Sequence, residues 1–189
     1  MSKLDSKDIA DRALESVRKW LETFVIGLGL CPFASKPYKN YKVRFAYFDG
    51  SKNDWLARFQ EEIRLLESGN IDEIETTLWV FPTDFWDDFQ TMWDETVLIE
   101  DMLEQMGLED NYQLAYFHPN FEFEGIDDED DIRHFVHRSP YPIIHILRWD
   151  SIAIAEAIYP NIEEIPAMND RKLNIIGIEQ IKKMLHGLK

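Results

Sequence analysis

Apolar residues recur along this chain with two different periods. Ile9, Ala13, Val17, Trp20, Phe24 and Leu28 fall three or four apart, which marks one face of a helix. Ser6 or Asp5 can cap that helix, and Gly27 and Gly29 weaken and then end it. Residues 41–48, rich in Val, Phe and Tyr, read as a strand that turns out through Asp49-Gly50. Asn53 or Asp54 starts a second helix with Leu56, Phe59, Ile63 and Leu66 on one face and Gly69 as its C-cap. Residues 75–81 predict a second strand, stopped by Pro82. Thr83 is placed to cap a long helix carrying Phe85, Phe89, Trp93, Val97 and Met106, ended by Gly107. Residues 112–117 predict a third strand, stopped by His118-Pro119.

Strand–helix–strand–helix–strand, with crossovers of this length, predicts parallel pairing. The expected fold class is α/β: one domain over residues 1–189, with a small, largely parallel sheet of about three strands packed by several helices. Ligands of such sheets gather at the carboxyl ends of the strands. Asp49, Pro82-Thr83 and His118-Pro119 fall at that edge. Glu75 and Thr76 fall at the opposite one, which discounts Glu75 as a catalytic acid. Further on, Asp150 can cap a helix that Pro160 breaks. Pro166 can open a last helix with Leu173, Ile176, Ile181 and Leu185 inward, and Asn169 and Arg171 as polar contacts in its first turns.

Residues 137–148 concentrate Arg, His, Ser and Tyr around two prolines. Ser139 and Pro140 suit a helix start. Ile143, Ile144, Ile146 and Leu147 then fall at i, i+1, i+3 and i+4, a helical apolar face. Their β-branched isoleucines argue instead for a strand. On a helix, His145 and Arg148 would share a face and act on one ligand. The chemistry suggested is an anion site of Arg138, Ser139, Arg148 and a helix N-terminus, with Arg44 as a further ligand contact. The bland reading is that these arginines pair with the chain's many acids.

Hydrophobic residues make up 45% of the 189 and aromatics 13%, so the chain is globular. A net charge of −16 repels nucleic acid and anionic membranes, and neither is expected as a partner. Cys31 is the one cysteine, which rules out an internal disulfide and fits a reducing, cytoplasmic setting. The polar start shows no signal peptide, and no apolar run reaches membrane-spanning length. Cys31 is most simply a small buried hydrophobe. As a nucleophile it would need a base, for which His118 could be adjacent in space. His134 and His137, with Asp127, Asp128, Asp130 and Asp131 upstream, could converge on a metal, but the spacing is unspecific and no metal is expected.

Phosphate loops, dinucleotide fingerprints, zinc-protease helices, nucleophile elbows and C-x-x-C pairs are all missing. The chain nevertheless carries Leu30-Cys31-Pro32-Phe33-Ala34, Val43-Arg44-Phe45, Glu75-Thr76-Thr77-Leu78, Phe117-His118-Pro119, Arg138-Ser139-Pro140-Tyr141-Pro142 with His145 and Leu147-Arg148, and Ile165-Pro166 with Asn169. In these it resembles a bacterial family of uncharacterised proteins, a domain of unknown function, from about residue 17 to 173. His137 stands where that family usually has Asn, and Trp149-Asp150 where it has Glu-Ala. The resemblance implies no activity. It implies only that Cys31, Arg44, His118, Arg138, Ser139, Tyr141, His145 and Arg148 belong to matching motifs.

The expected function is therefore an enzyme or binder for a small anionic metabolite. Arg138, Ser139, Arg148 and Arg44 would hold the anion, His118 or His145 would serve as acid or base, and Cys31 is a candidate nucleophile. The alternative is a non-catalytic interaction protein presenting residues 127–131, or the exposed side of the 84–106 helix, to a basic partner. Cofactor, substrate and oligomeric state stay open.

Overall fold

The computed structural model describes residues 6–159 and 161–188. Asp5, the alternative first cap, and Pro160, the expected breaker, lie outside the described residues. Helix α1 (Ser6–Lys19) runs on as a π-helical segment (Trp20–Ile26), and Gly29 at φ +62° turns the chain away. A short α2 (Ser35–Lys39) leads to strand β1 (Val43–Tyr47). Then come α3 (Trp55–Ser68), β2 (Thr76–Val80), α4 (Phe89–Gln105) and β3 (Tyr112–Phe117). A connection with a 3-10 turn (Ile132–Val136) leads to β4 (Ile143–Arg148). The chain closes with α5 (Trp149–Ile158), α6 (Ile165–Ile176) and α7 (Ile178–His186).

Two expectations are corrected here. Helix α4 starts six residues after Thr83. Its cap is Asp88, whose carboxylate accepts the Thr91 N–H at 2.8 Å. Phe85, assigned by periodicity to the helix, instead folds into the core with Trp86 from the turn before it. The last helix breaks at Gly177 (φ +83°) into α6 and α7.

The larger correction is the central stretch, which is a strand and not a helix. The fold class is α/β as expected, with four strands in the order β1-β2-β4-β3. β1 and β2 pair in parallel, Val43 opposite Thr76. β4 is inserted antiparallel to both β2 and β3, His145 opposite Leu78 on one side and Ala115 on the other. β1, β2 and β3 thus run the same way, and the reversed strand sits between them. The physical reason is burial on both faces. Ile144 and Ile146 point into an aromatic core with Phe59, Trp79, Phe81 and Trp86 under α3 and α4. Ile143 points into a second core with Val17, Trp20, Phe24 and Leu173. An inner strand with two dry faces reads as an unbroken apolar run, which a helical template also fits.

Candidate functional site

Reversing β4 separates the residues expected to share an anion. Arg138 and Ser139 precede the strand and lie beside His118, at the end of β3. Arg148 ends the strand opposite Tyr112, at the start of β3. A six-residue strand puts about 20 Å between the two ends. Residues three apart on a strand also face opposite ways. His145 therefore looks toward α1 and the π-helical segment, and Arg148 toward α3.

Each arginine is engaged by protein oxygens. Arg138 donates to the carbonyls of Glu129 (2.8 Å) and Phe121 (3.3 Å) and lies over the Phe135 ring. Arg148 donates to the Leu66 and Ile74 carbonyls and to the Tyr112 hydroxyl. Arg44 makes a two-pronged pair with Glu62 of α3, at 2.8 and 3.0 Å. With the arginine side chain 31% and the glutamate 14% exposed, a double-mutant cycle through Arg44→Ala and Glu62→Ala should give a coupling of about 1 kcal/mol in urea unfolding. Zero coupling would leave the guanidinium free to serve a ligand. Ser139 donates to the Tyr141 carbonyl, closing the Ser-Pro-Tyr-Pro turn and capping no helix.

The histidines at the carboxyl edge are also occupied. His118, almost wholly buried, accepts the Asn120 N–H at Nδ1 and donates from Nε2 to the Trp86 carbonyl. It holds two turns together as a neutral ring. His134 is bonded in the same manner to Phe123 and Asp128. His137 donates to the Tyr116 carbonyl and stacks between Phe117 and Phe121, and its burial pushes its pKa below the usual value. Among the described residues no cluster of His, Cys, Asp and Glu is placed to hold a metal ion. In the acidic connection, Asp131 pairs with Arg133 and Asp130 with Lys182, so part of its charge is spent inside the chain.

One concavity, a polar one, lies at the acidic connection between Asp130, Arg133 and Asp170, while a second, largely apolar one lies against the sheet face that carries His145. A cavity of about 300 Å³ opens between that face, the π-helical segment, the Cys31 turn and α5. This is the lower end of the range for small-molecule sites. Its walls are largely apolar, with Trp20, Leu21, Phe117, Leu147, Ile152 and Ala155. The polar residues on the lining are Cys31, Thr76, His145, Ser151 and Tyr159, with Glu75, Lys36 and Arg148 as the charged ones. Glu75, discounted by the strand-end rule, and Thr76 beside it thus belong to the cavity. The rule describes parallel sheets. Here the reversed β4 ends at the edge where β2 begins, and α5, leaving β4, roofs the face.

Hydrogen bonding fixes the state of His145. The Thr76 hydroxyl has one proton and donates it to the Ile146 carbonyl at 2.7 Å. It must then accept from His145 Nε2, also at 2.7 Å. Nε2 carries the proton, and the Nδ1 lone pair has no partner among the described residues. Burial drives the His145 pKa down to about 4, so the ring is neutral near pH 7. The exposed part of the ring belongs to the cavity lining. Ser151 Oγ is a fully buried hydroxyl without a partner among the described residues. No motif in the sequence marks it.

Behind Cys31, Asn169 of α6 donates to the Leu30 carbonyl at 2.8 Å, and Lys172 reaches the Gly29 carbonyl. Burial raises the thiol pKa, and the backbone N–H groups of Phe33 and Ala34 pull it partly back. Phe33 meets Tyr159 edge-on at 5.6 Å, linking the Cys31 turn to the end of α5.

The chain belongs to the family described as protein of unknown function DUF1415, whose model matches residues 12–183. No curated protein and no solved structure matches it. No helix among the described residues is long and apolar enough to cross a membrane.

Proposed function

We propose that this chain binds a small neutral molecule with an apolar body and one hydrogen-bond-donating head, seated against His145. One observation carries the reading: an imidazole fixed by Thr76, its Nδ1 lone pair unpartnered, in the wall of an otherwise apolar cavity. An acceptor that faces an apolar cavity without a protein partner is free to take a ligand's hydrogen-bond donor. Nδ1 accepts, so the matching head is a hydroxyl or an amide N–H. A carboxylate would present lone pairs to the Nδ1 lone pair. The anionic-metabolite expectation therefore narrows to a neutral one, since Arg44, Arg138 and Arg148 already have partners. The space suits about ten non-hydrogen atoms.

Thermal unfolding with hexanol, octanol, octanamide and octanoate tests this, with emission from Trp20 in the cavity wall as a second signal. A neutral ligand at a hundred times its dissociation constant adds about 2.7 kcal/mol of stability, or several degrees. The alcohols and amide should raise the midpoint more than the carboxylate, and His145→Phe should abolish the difference. No shift and no change in emission with any of them would end the reading.

A further inference from the structure

The same cavity holds a thiol, and the groups around it suit one reaction. We propose that Cys31 is a nucleophile that accepts an acyl group from a neutral ester or thioester with an apolar chain, with His145 as its base. This rests on the cavity's reading as a site for an apolar neutral molecule, and adds an activity to it.

Nucleophilic catalysis needs a nucleophile, a base and a group that orients the base. Cys31 lines the cavity and is positioned by α6, whose Asn169 holds the Leu30 carbonyl behind it. His145 brings the unpartnered Nδ1 to the same cavity. Thr76, itself anchored on the Ile146 carbonyl, holds the ring in the tautomer that leaves Nδ1 able to take a proton. The Ser151 hydroxyl, with no other use among the described residues, can donate to a carbonyl oxygen as negative charge develops on it. Trp20, Leu21, Leu147 and Ile152 give an acyl chain an apolar surface.

The electron and proton count closes without a further reagent. A sulfur lone pair forms the S–C bond to the acyl carbon. The S–H proton moves to His145 Nδ1. The bond from acyl carbon to the leaving oxygen or sulfur breaks, and the imidazolium protonates that atom. The products are an S-acyl Cys31 and an alcohol or thiol. Water repeats the sequence on the thioester and restores the free thiol. Burial keeps the thiol protonated at rest, so proton transfer accompanies attack, as it does for a hydroxyl nucleophile.

The test is intact mass after mixing the full chain with p-nitrophenyl octanoate or p-nitrophenyl acetate, followed by peptide mapping. A single octanoyl group on Cys31 is expected, forming faster than the acetyl adduct. It should be absent from Cys31→Ala and Cys31→Ser. It should form about a hundredfold more slowly in His145→Gln, and more slowly in Ser151→Ala. Acylation of Cys31 at an unchanged rate in folded His145→Gln overturns the proposal, as does labelling that persists without the cysteine or an acetyl rate matching the octanoyl rate. Octanol binding to Cys31→Ala separates the two readings. If octanol binds but the parent takes no acyl group, the cavity reading stands and this one falls. If octanol does not bind, both fall.

Discussion

Arg148→Ala is expected to cost about 3 kcal/mol of stability. The guanidinium bonds the Leu66 carbonyl at the end of α3, the Ile74 carbonyl at 3.3 Å before β2, and the Tyr112 hydroxyl at 3.2 Å at the start of β3. Tyr112 in turn donates to Glu67 at 2.6 Å. One cation thus ties three elements together and sits at a helix C-terminus, where positive charge is favoured. Truncation leaves two partly covered carbonyls with a lost donor, and such losses exceed the net value of the bonds themselves. The melting point should fall by roughly 6–12 °C. Arg148→Lys should recover less than half of the loss, because a single ammonium cannot span three acceptors in a fixed fork. Urea unfolding followed by tryptophan emission measures both variants. A change below about 0.5 kcal/mol in Arg148→Ala, within the range of ordinary surface substitutions, would return the guanidinium to the list of ligand groups.

That expectation shows where the sequence was legible and where it was not. The three forward strands and α3 were readable because each has a single period and a punctuating Gly, Pro or cap. β4 was not. The Ile143, Ile144, Ile146 and Leu147 positions fit a helical face, while their β-branched side chains argued for a strand, and tertiary burial on both faces decided for the strand. A helix puts His145 and Arg148 side by side, whereas a strand turns them to opposite faces, and the Arg148 guanidinium, at the rim of the cavity, is spent on Leu66, Ile74 and Tyr112. The Arg-Ser-Pro-Tyr-Pro stretch stood out for chemistry, yet it closes the turn into β4, with Trp20 donating to the Arg138 carbonyl at 3.0 Å.

Cys31 and His145 were both named from the sequence, but His118 seemed the nearer base. Their common cavity depends on α6 holding the Leu30 carbonyl and on α5 crossing the sheet. Neither docking is written in any local period. α5 itself shows why a pocket forms there. It is rich in Ile and Ala yet buries no residue, and Ile154 and Ile158 stay 55% and 72% exposed. It shelters the sheet without sealing it, so the face beneath keeps a space that α1 and the π-helical segment do not fill.

Acid should destabilise this protein through His145, and His145→Gln should remove that part of the loss. In the unfolded chain the imidazole titrates near pH 6.5, and in the fold its pKa is down to about 4 because burial disfavours the cation. Between those values the unfolded chain binds more protons than the folded one, so stability rises with pH. The contribution is complete above about pH 6.5 and is lost as pH falls to about 4. One proton gives a slope of about 1.4 kcal/mol per pH unit and a total of about 3 kcal/mol. His137 shifts in the same direction, and carboxylates add their own acid response. The quantity to read is therefore the difference between parent and variant, from urea unfolding at several pH values across that window. A steeper fall in the parent, by about one proton's slope, is expected. Parallel curves would mean that His145 meets water freely in the fold. The same titration bears on the site. A ligand head that donates to Nδ1 loses its acceptor once that nitrogen is protonated, so octanol binding should weaken as pH approaches 4 and should be insensitive to pH above about 6.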